Sequence, residues 1–167
     1  DPPSRGFQMD VVILCGGQGA RMREETEFRP KPMVEVGGRP LLWHIMRLFG
    51  HHGLERFVLC LGYKGDLIKD YFLDYEAHTR DFTVRVGGTG GEPRFHGDPE
   101  PFEFAVTLAD TGLDTLTGGR VKRVEKYVEG DTFLVTYGDG LADVDVGALV
   151  RFHRSHGKLA TVTAVQP

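Results

Sequence analysis

Apolar positions along this chain follow two different periods. The runs DVVILC (10–15) and RFVLCL (56–61) are short, continuous and rich in β-branched residues. Glycine closes each of them, and such runs predict strands buried on both faces. Between them lies RPLLWHIMRLFGHHG (39–53), where Leu41, Leu42, Ile45, Leu48 and Phe49 recur at helical spacing. Pro40 suits the start of that helix and Gly50 a position just past its end. After the second strand, GYKG (62–65) reads as a turn and DLIKDYFLDY (66–75) as an amphipathic helix. Strand, loop, helix, strand, turn, helix is the grammar of an α/β fold with a parallel sheet and helices on its faces.

The middle of the chain is patterned differently. FTVRVG (82–87) and FEFAVTLAD (102–110) predict strands, joined by the Gly- and Pro-rich GGTGGEPRFHGDPEP (87–101). GGRVKRVEKYVEG (118–130) predicts a helix with Val121, Val124 and Val128 inward. TFLVTYGDG (132–140) is a strand running into an aspartate flanked by glycines. DVGALVRFHRSHG (145–157) reads as a helix ending at Gly157, and KLATVTAVQP (158–167) as one more strand. A last strand with nothing after it leads us to expect further residues beyond Pro167. The patternless DPPSRGFQ (1–8) is read as a leader outside the fold, leaving 9–167 as one domain.

Composition narrows the classes. The 167 residues suit a single domain with a sizeable core, and 40% hydrophobic with 26% charged residues fits a water-soluble globular chain. The net charge of −4 argues against a general nucleic-acid binder. No apolar run approaches membrane-spanning length, so no membrane partner is expected. Cys15 and Cys60 lie in apolar runs and read as buried reduced thiols, which points to a cytoplasmic address. Trp43, Phe49, Tyr71 and Phe72 read as core.

Candidate chemistry concentrates in LCGGQGARMREETEFRPKPM (14–33). Gly16, Gly17 and Gly19 follow a strand, where glycine lets backbone N–H groups approach an anion; a tight structural turn would look the same. Met22 stands where a dinucleotide fingerprint has its third glycine, and no Gly-Lys-Ser/Thr makes a P-loop. Arg21 and Arg23 follow the loop, and Lys31 is held between Pro30 and Pro32. Guanidinium groups plus a rigidly presented ammonium suit a polyphosphate. Asp139, at a strand's carboxyl end, is either a Mg²⁺ ligand beside a nucleotide or a self-bonded turn aspartate. Asp143 and Asp145 read as the cap and first turn of the next helix. TLTGGR (115–120) starts a helix, where its donors could cap that helix or read a base or phosphate. His51 and His52 suit a helix end, and His153 and His156 lack the further ligands of a zinc site.

These stretches, with CLGYKG (60–65), DTGLDTLTGGRVKRVEKYV (110–128), YGDGLADVD (137–145) and FHRSHGKLATVTAVQP (152–167), resemble the sugar-1-phosphate nucleotidyltransferases. EETEFRPKPMVEVGGRPLLWHIM (24–46) and the DTG…TGGR spacing are similar to the cytidylyl branch. The resemblance implies a Rossmann-like, GT-A-like fold with a mixed, mostly parallel sheet whose C-terminal part lies beyond this chain. It implies Mg²⁺-assisted transfer of CMP from CTP to glucose 1-phosphate, giving CDP-glucose for deoxysugar synthesis, in a homo-oligomer. Leu14, Cys15, Gly16, Gly17, Gln18, Gly19, Ala20 and Arg21 would then hold the nucleotide and its phosphates. Arg21 would steady the pyrophosphate and Lys31 the α-phosphate; Thr115 and Arg120 would contact CTP. Gly138 would line the substrate site, and Asp139 would bind Mg²⁺. The sugar-binding half and a second metal-binding aspartate would come from the continuation. Another nucleotide or sugar phosphate, or a nucleotide-binding fragment without catalysis, remains an alternative.

Overall fold

A computed structural model describes residues 9–17 and 28–164. In chain order the elements are β1 (Asp10–Leu14), a 3₁₀ turn (Lys31–Met33), β2 (Glu35–Val36), β3 (Arg39–Pro40) and α1 (Leu41–His51). Then come β4 (Arg56–Leu61), α2 (Gly65–Leu73), α3 (Tyr75–Thr79), β5 (Phe82–Thr83), β6 (Arg94–Phe95) and β7 (Ala105–Asp110). The last are α4 (Thr117–Val124), a second 3₁₀ turn (Glu125–Tyr127), β8 (Leu134–Tyr137) and α5 (Val146–His156).

Four strands form one sheet in the order β7-β4-β1-β8. Every pairing in it is parallel, and the antiparallel pairs β2–β3 and β5–β6 stand apart from it. The parallel, helix-flanked α/β architecture read from the sequence is therefore present. The apolar runs are continuous because both faces are covered, and alternate side chains serve opposite layers. Val11, Ile13, Phe57, Leu59 and Leu61 pack with Leu42, Ile45, Met46 and Phe49 of α1, Ile68 of α2 and Val146 and Val150 of α5. Val12, Leu14, Val58 and Cys60 meet Val124 of α4 on the other face, with Val121 and Val128 beside it.

Several boundaries differ from the sequence reading. α1 runs through Gly50 to His51, and the left-handed glycine beyond it is Gly53 (φ 76°). Gly50 serves packing instead: a Cβ there would come 2.7 Å from the Phe104 ring. The strand expected from 102 begins at Ala105, because β4 offers Arg56 as its first partner. Phe102 and Phe104 stack on each other (4.5 Å between centroids) rather than joining the ladder. The strand expected over 82–87 shrinks to β5, and its partner β6 falls inside the expected loop. The helix expected over 118–130 gives way to the 3₁₀ turn at Glu125; the Glu129 N–H donates to Asp10 (2.6 Å) rather than up a helix. No strand forms over 158–164: Leu159 and Val162 are exposed, and β propensity yields a strand only where a ladder partner exists.

Other expectations hold. Gly157 ends α5 in the left-handed region (φ 63°); the cap, however, is Asp145, which accepts from the Ala148 N–H (2.8 Å), while Asp143, read with it as cap and first turn, stands outside the helix. Cys15 and Cys60 are buried and free. The imidazoles of His153 and His156 both share a hydrogen bond with the Thr161 hydroxyl (2.9 and 2.8 Å).

Candidate active site

The carboxyl ends of β1 and β8 meet at one cleft of about 280 Å³. Its walls include Leu14, Cys15, Gly16, Gly17, Lys31, Thr115, Arg120 and Asp139. Ligands of open α/β sheets collect at such strand ends, because the loops there diverge and leave a crevice. A larger depression of about 550 Å³ lies around Arg80 and His96, but Arg80 is already bonded to Glu76 and to the His96 and Gly97 carbonyls.

The chain leaves β1 under restraint from both neighbours. The Cys15 N–H donates to the Cys60 carbonyl (3.0 Å), and the Gly138 N–H donates to the Leu14 carbonyl (3.0 Å). Cys15 is sealed beneath the cleft, and burial pushes its thiol far above the ordinary range, with Cys60 and Asp139 adding to the effect. It is a packing group, not a nucleophile. Gly138 is buried against it: a Cβ there would lie 2.9 Å from Cys15 Sγ, 3.0 Å from Pro32 Cγ and 3.2 Å from the Leu14 oxygen.

Pro32 brings Lys31 to the same place. Pro30 precedes the 3₁₀ turn at φ −67°, Pro32 is buried inside it, and the Met33 N–H closes it on the Pro30 carbonyl (2.8 Å). The prolines thus hold the backbone that carries the ammonium, as their spacing suggests. Lys31 Nζ lies 3.6 Å from an Asp139 carboxylate oxygen; the lysine side chain is 21% exposed and the aspartate 41%. One cation and one carboxylate, both open to the cleft, stand side by side at the strand ends.

The far wall is the start of α4. Leu116 precedes the helix in extended conformation with no side-chain cap, and Thr117 is its first residue. The Thr115 hydroxyl accepts from Arg123 Nη1 (2.6 Å), which leaves its own proton to donate elsewhere. Arg120 is 6% exposed and turns inward. Its Nη1 donates to the Leu61 carbonyl (3.1 Å), the Thr111 hydroxyl (2.8 Å) and the Gly112 carbonyl (2.7 Å). Its Nη2 donates to the Gly16 (3.1 Å) and Leu113 (3.0 Å) carbonyls.

The structure thus brings together Leu14, Cys15, Gly16, Gly17, Lys31, Thr115, Arg120 and Asp139, with Gly138 packed just behind. Gln18, Gly19, Ala20 and Arg21, like Arg23, lie outside the described residues. Sequence reasoning missed Leu116 and Tyr137 as cleft residues. Tyr137 is 59% exposed although it ends an apolar strand, and its place two residues before Asp139 was the available signal.

Comparisons with known proteins bear out the resemblance. Residues 11–88 match the model of the MobA-like NTP transferase domain. The chain is 51% identical over 160 residues to the glucose-1-phosphate cytidylyltransferase of Salmonella typhimurium, covering 95% of this chain and 61% of that protein. It is 46% identical to the probable glucose-1-phosphate cytidylyltransferase of Bacillus subtilis, covering 94% and 60%. The chain therefore spans about three fifths of the length of the curated relatives it matches. Among solved structures, HddC from Yersinia pseudotuberculosis, complexed with GMP-PN, superposes with a TM-score of 0.63 at 28% identity, over 87% of this chain and 54% of that one. A UDP-glucose pyrophosphorylase complexed with UDP-glucose superposes at 0.62 and 13% identity over 88% and 53%, a likeness of fold.

Proposed function

We propose that this chain is the nucleotide-binding part of a glucose-1-phosphate cytidylyltransferase, transferring CMP from CTP to glucose 1-phosphate and releasing pyrophosphate. The observation that carries the reading is the Lys31–Asp139 pair, 3.6 Å apart in a cleft walled by Gly16 and Gly17. The relatives at 51% and 46% identity support the choice of CTP and of the sugar phosphate.

The chemistry asks little of a general base. A phosphate oxygen of glucose 1-phosphate is already anionic when it attacks the α-phosphorus, and the bond to the bridging oxygen of the β-phosphate breaks as pyrophosphate leaves. The barrier lies in joining two polyanions, so positioning and positive charge do most of the work. Lys31 neutralises the α-phosphate as charge builds there. The backbone donors of Gly16 and Gly17, continuing through Gln18, Gly19, Ala20 and Arg21, cradle the phosphates, and Arg21 steadies the departing pyrophosphate; the Cys15 N–H is already given to the Cys60 carbonyl, so Cys15 serves as the floor of the cleft. Thr115 donates its free hydroxyl proton to the nucleotide. Gly138 lets the substrate-side wall approach closely.

One carboxylate with open space before it fits Mg²⁺, which keeps several waters and is commonly held by one or two carboxylates plus substrate phosphates. Asp139 would hold it together with the nucleotide, and the ion would supply further neutralisation of the phosphates. A second protein ligand would come from the continuation, with the sugar site. The reading places the protein in the cytoplasm as a homo-oligomer. In the described residues no helix is long and apolar enough to cross a membrane.

The test is pyrophosphate release by the full chain with CTP, glucose 1-phosphate and Mg²⁺. Release that depends on all three supports the proposal; nucleotide binding without release reduces it to a binding module. A second reading, another nucleotide or sugar phosphate, is favoured by the likeness to HddC complexed with GMP-PN. Exchanging CTP for GTP, UTP or dTTP in the same assay decides between them.

A further inference from the structure

Arg120 presents a physical puzzle. Its guanidinium is buried, yet among the described residues no carboxylate pairs with it; its Nη atoms meet only neutral oxygens. Burying a cation without a counterion is unfavourable unless every donor is satisfied and something else needs the charge there. Here the four Nη protons serve five acceptors drawn from three separate segments: the end of β4, the turn after β7, and the glycine loop after β1.

The glycines are built around this group. A Cβ on Gly16 would lie 2.1 Å from Arg120 Nη1 and 2.5 Å from its Cζ. A Cβ on Gly62 would lie 2.6 Å from Nη1. No real Cβ tolerates such distances, so Gly16, Gly62 and Arg120 form one packing unit. The Gly16 carbonyl also accepts from the Tyr63 N–H (3.3 Å), which ties the loop to the β4–α2 turn.

The consequence for the cleft follows from peptide geometry. In a trans peptide the carbonyl of one residue and the N–H of the next point in opposite directions. Arg120 draws the carbonyls of Gly16, Gly112 and Leu113 inward. The N–H groups of Gly17, Leu113 and Asp114 are thereby turned away from it. Gly112 takes the left-handed conformation (φ 86°) here, one that glycine adopts without a Cβ penalty.

The geometry points to Arg120 as a positioning residue for the nucleotide's phosphates: it fixes the glycine loop and the 111–113 turn in one register, with amides outward and a buried positive charge beneath. The role rests on the nucleotide reading above and differs from a direct contact with CTP, since both Nη atoms are committed to the protein. Lysine keeps the charge but offers three donors on one nitrogen, against five acceptors now shared by the two Nη atoms of a planar fork.

The experiment uses Arg120→Lys and Gly62→Ala in the full chain, with Arg56→Lys as control for an ion-pair network at the other end of β4. Hydrogen exchange is measured without ligand, and CTP–Mg²⁺ binding by calorimetry. Arg120→Lys should speed exchange in peptides covering 15–17 and 111–114, leave the centre of β1 and β4 unchanged, and raise the Kd for CTP about tenfold or more, the scale of a lost charged hydrogen-bond set. Gly62→Ala should do the same with the arginine still present, which keeps the test alive if Arg120→Lys fails to fold. Added millimolar guanidinium should restore CTP affinity to Arg120→Ala, whereas methylammonium should not. Unchanged exchange overturns the proposal, and so does faster exchange with unchanged CTP affinity, which would leave Arg120 merely structural. Failure of the unmodified chain to bind CTP is a separate result: it overturns the nucleotide reading and the ligand named here, while the exchange data still decide whether Arg120 holds the two segments.

Discussion

Gly138→Ala should destabilise the chain through three contacts at once. The added methyl would meet Cys15 Sγ at 2.9 Å, Pro32 Cγ at 3.0 Å and the Leu14 oxygen at 3.2 Å. The Leu14 oxygen cannot retreat without loosening the bond it accepts from the Gly138 N–H. Cys15 has no room either, being buried beside the Gly138 backbone. Strain must therefore go into Pro32 and the turn that carries Lys31. Overpacking of this kind costs about 1–3 kcal/mol. At roughly 2–4 °C per kcal/mol for a chain of this size, Tm should fall by roughly 2–12 °C.

A double-mutant cycle isolates the cause. Cys15→Ala alone removes one buried heavy atom and should cost about 0.5–1.5 kcal/mol. In that background Gly138→Ala loses its tightest clash but keeps those with Pro32 and Leu14, so relief is partial. The coupling should be favourable by at least about 0.5 kcal/mol, the threshold for residues in contact. Urea and thermal unfolding of the four chains measure it. An unchanged Tm for Gly138→Ala, or strict additivity, would refute the packing argument.

Four further outcomes are expected. Lys31→Ala should lower kcat more than it raises the Kd for CTP, because its charge matters most as the α-phosphate reacts; equal losses in both would remove that role. Asp139→Asn should shift the Mg²⁺ titration of pyrophosphate release to higher concentration, and an unchanged curve takes Asp139 out of the metal site. Both thiols should resist a disulfide reagent in the folded chain, since burial pushes the Cys60 thiol up to about 11 and Cys15 further. The same shifts make stability pH-dependent: above about pH 9 the unfolded chain releases thiol protons that the fold retains, so Tm should fall as pH rises from there toward 11. Rapid labelling of native protein, or a flat Tm across that window for wild type against Cys60→Ala, would count against it.

Much of the framework was legible because it rests on local signals. β4 matches its apolar run, Gly157 ends α5 as its position suggests, and the prolines around Lys31 present it as their stiffness implies. What failed depended on distant partners. Whether 158–164 or 82–87 becomes a strand turns on a ladder neighbour that no local window contains. Gly50 stands inside α1 and not past its end because its missing side chain makes room for Phe104, far along the chain, and does not mark a stop.

The glycine loop carries the sharpest form of that difference. Read locally, GGQG says only that backbone could approach an anion or turn tightly. Gly17 fits the first reading, being exposed with nothing near its missing side chain. Gly16 does not: the space beside it belongs to Arg120, 104 residues later in the chain. The two neighbouring glycines thus differ: the space beside Gly17 is open, and the space beside Gly16 is filled from within the protein. Alanine should separate them. At position 17 it adds a methyl to open space and should leave folding intact while altering ligand approach. At position 16 it must displace a buried guanidinium bonded to three segments, so both the fold of the loop and the cleft it lines should change together.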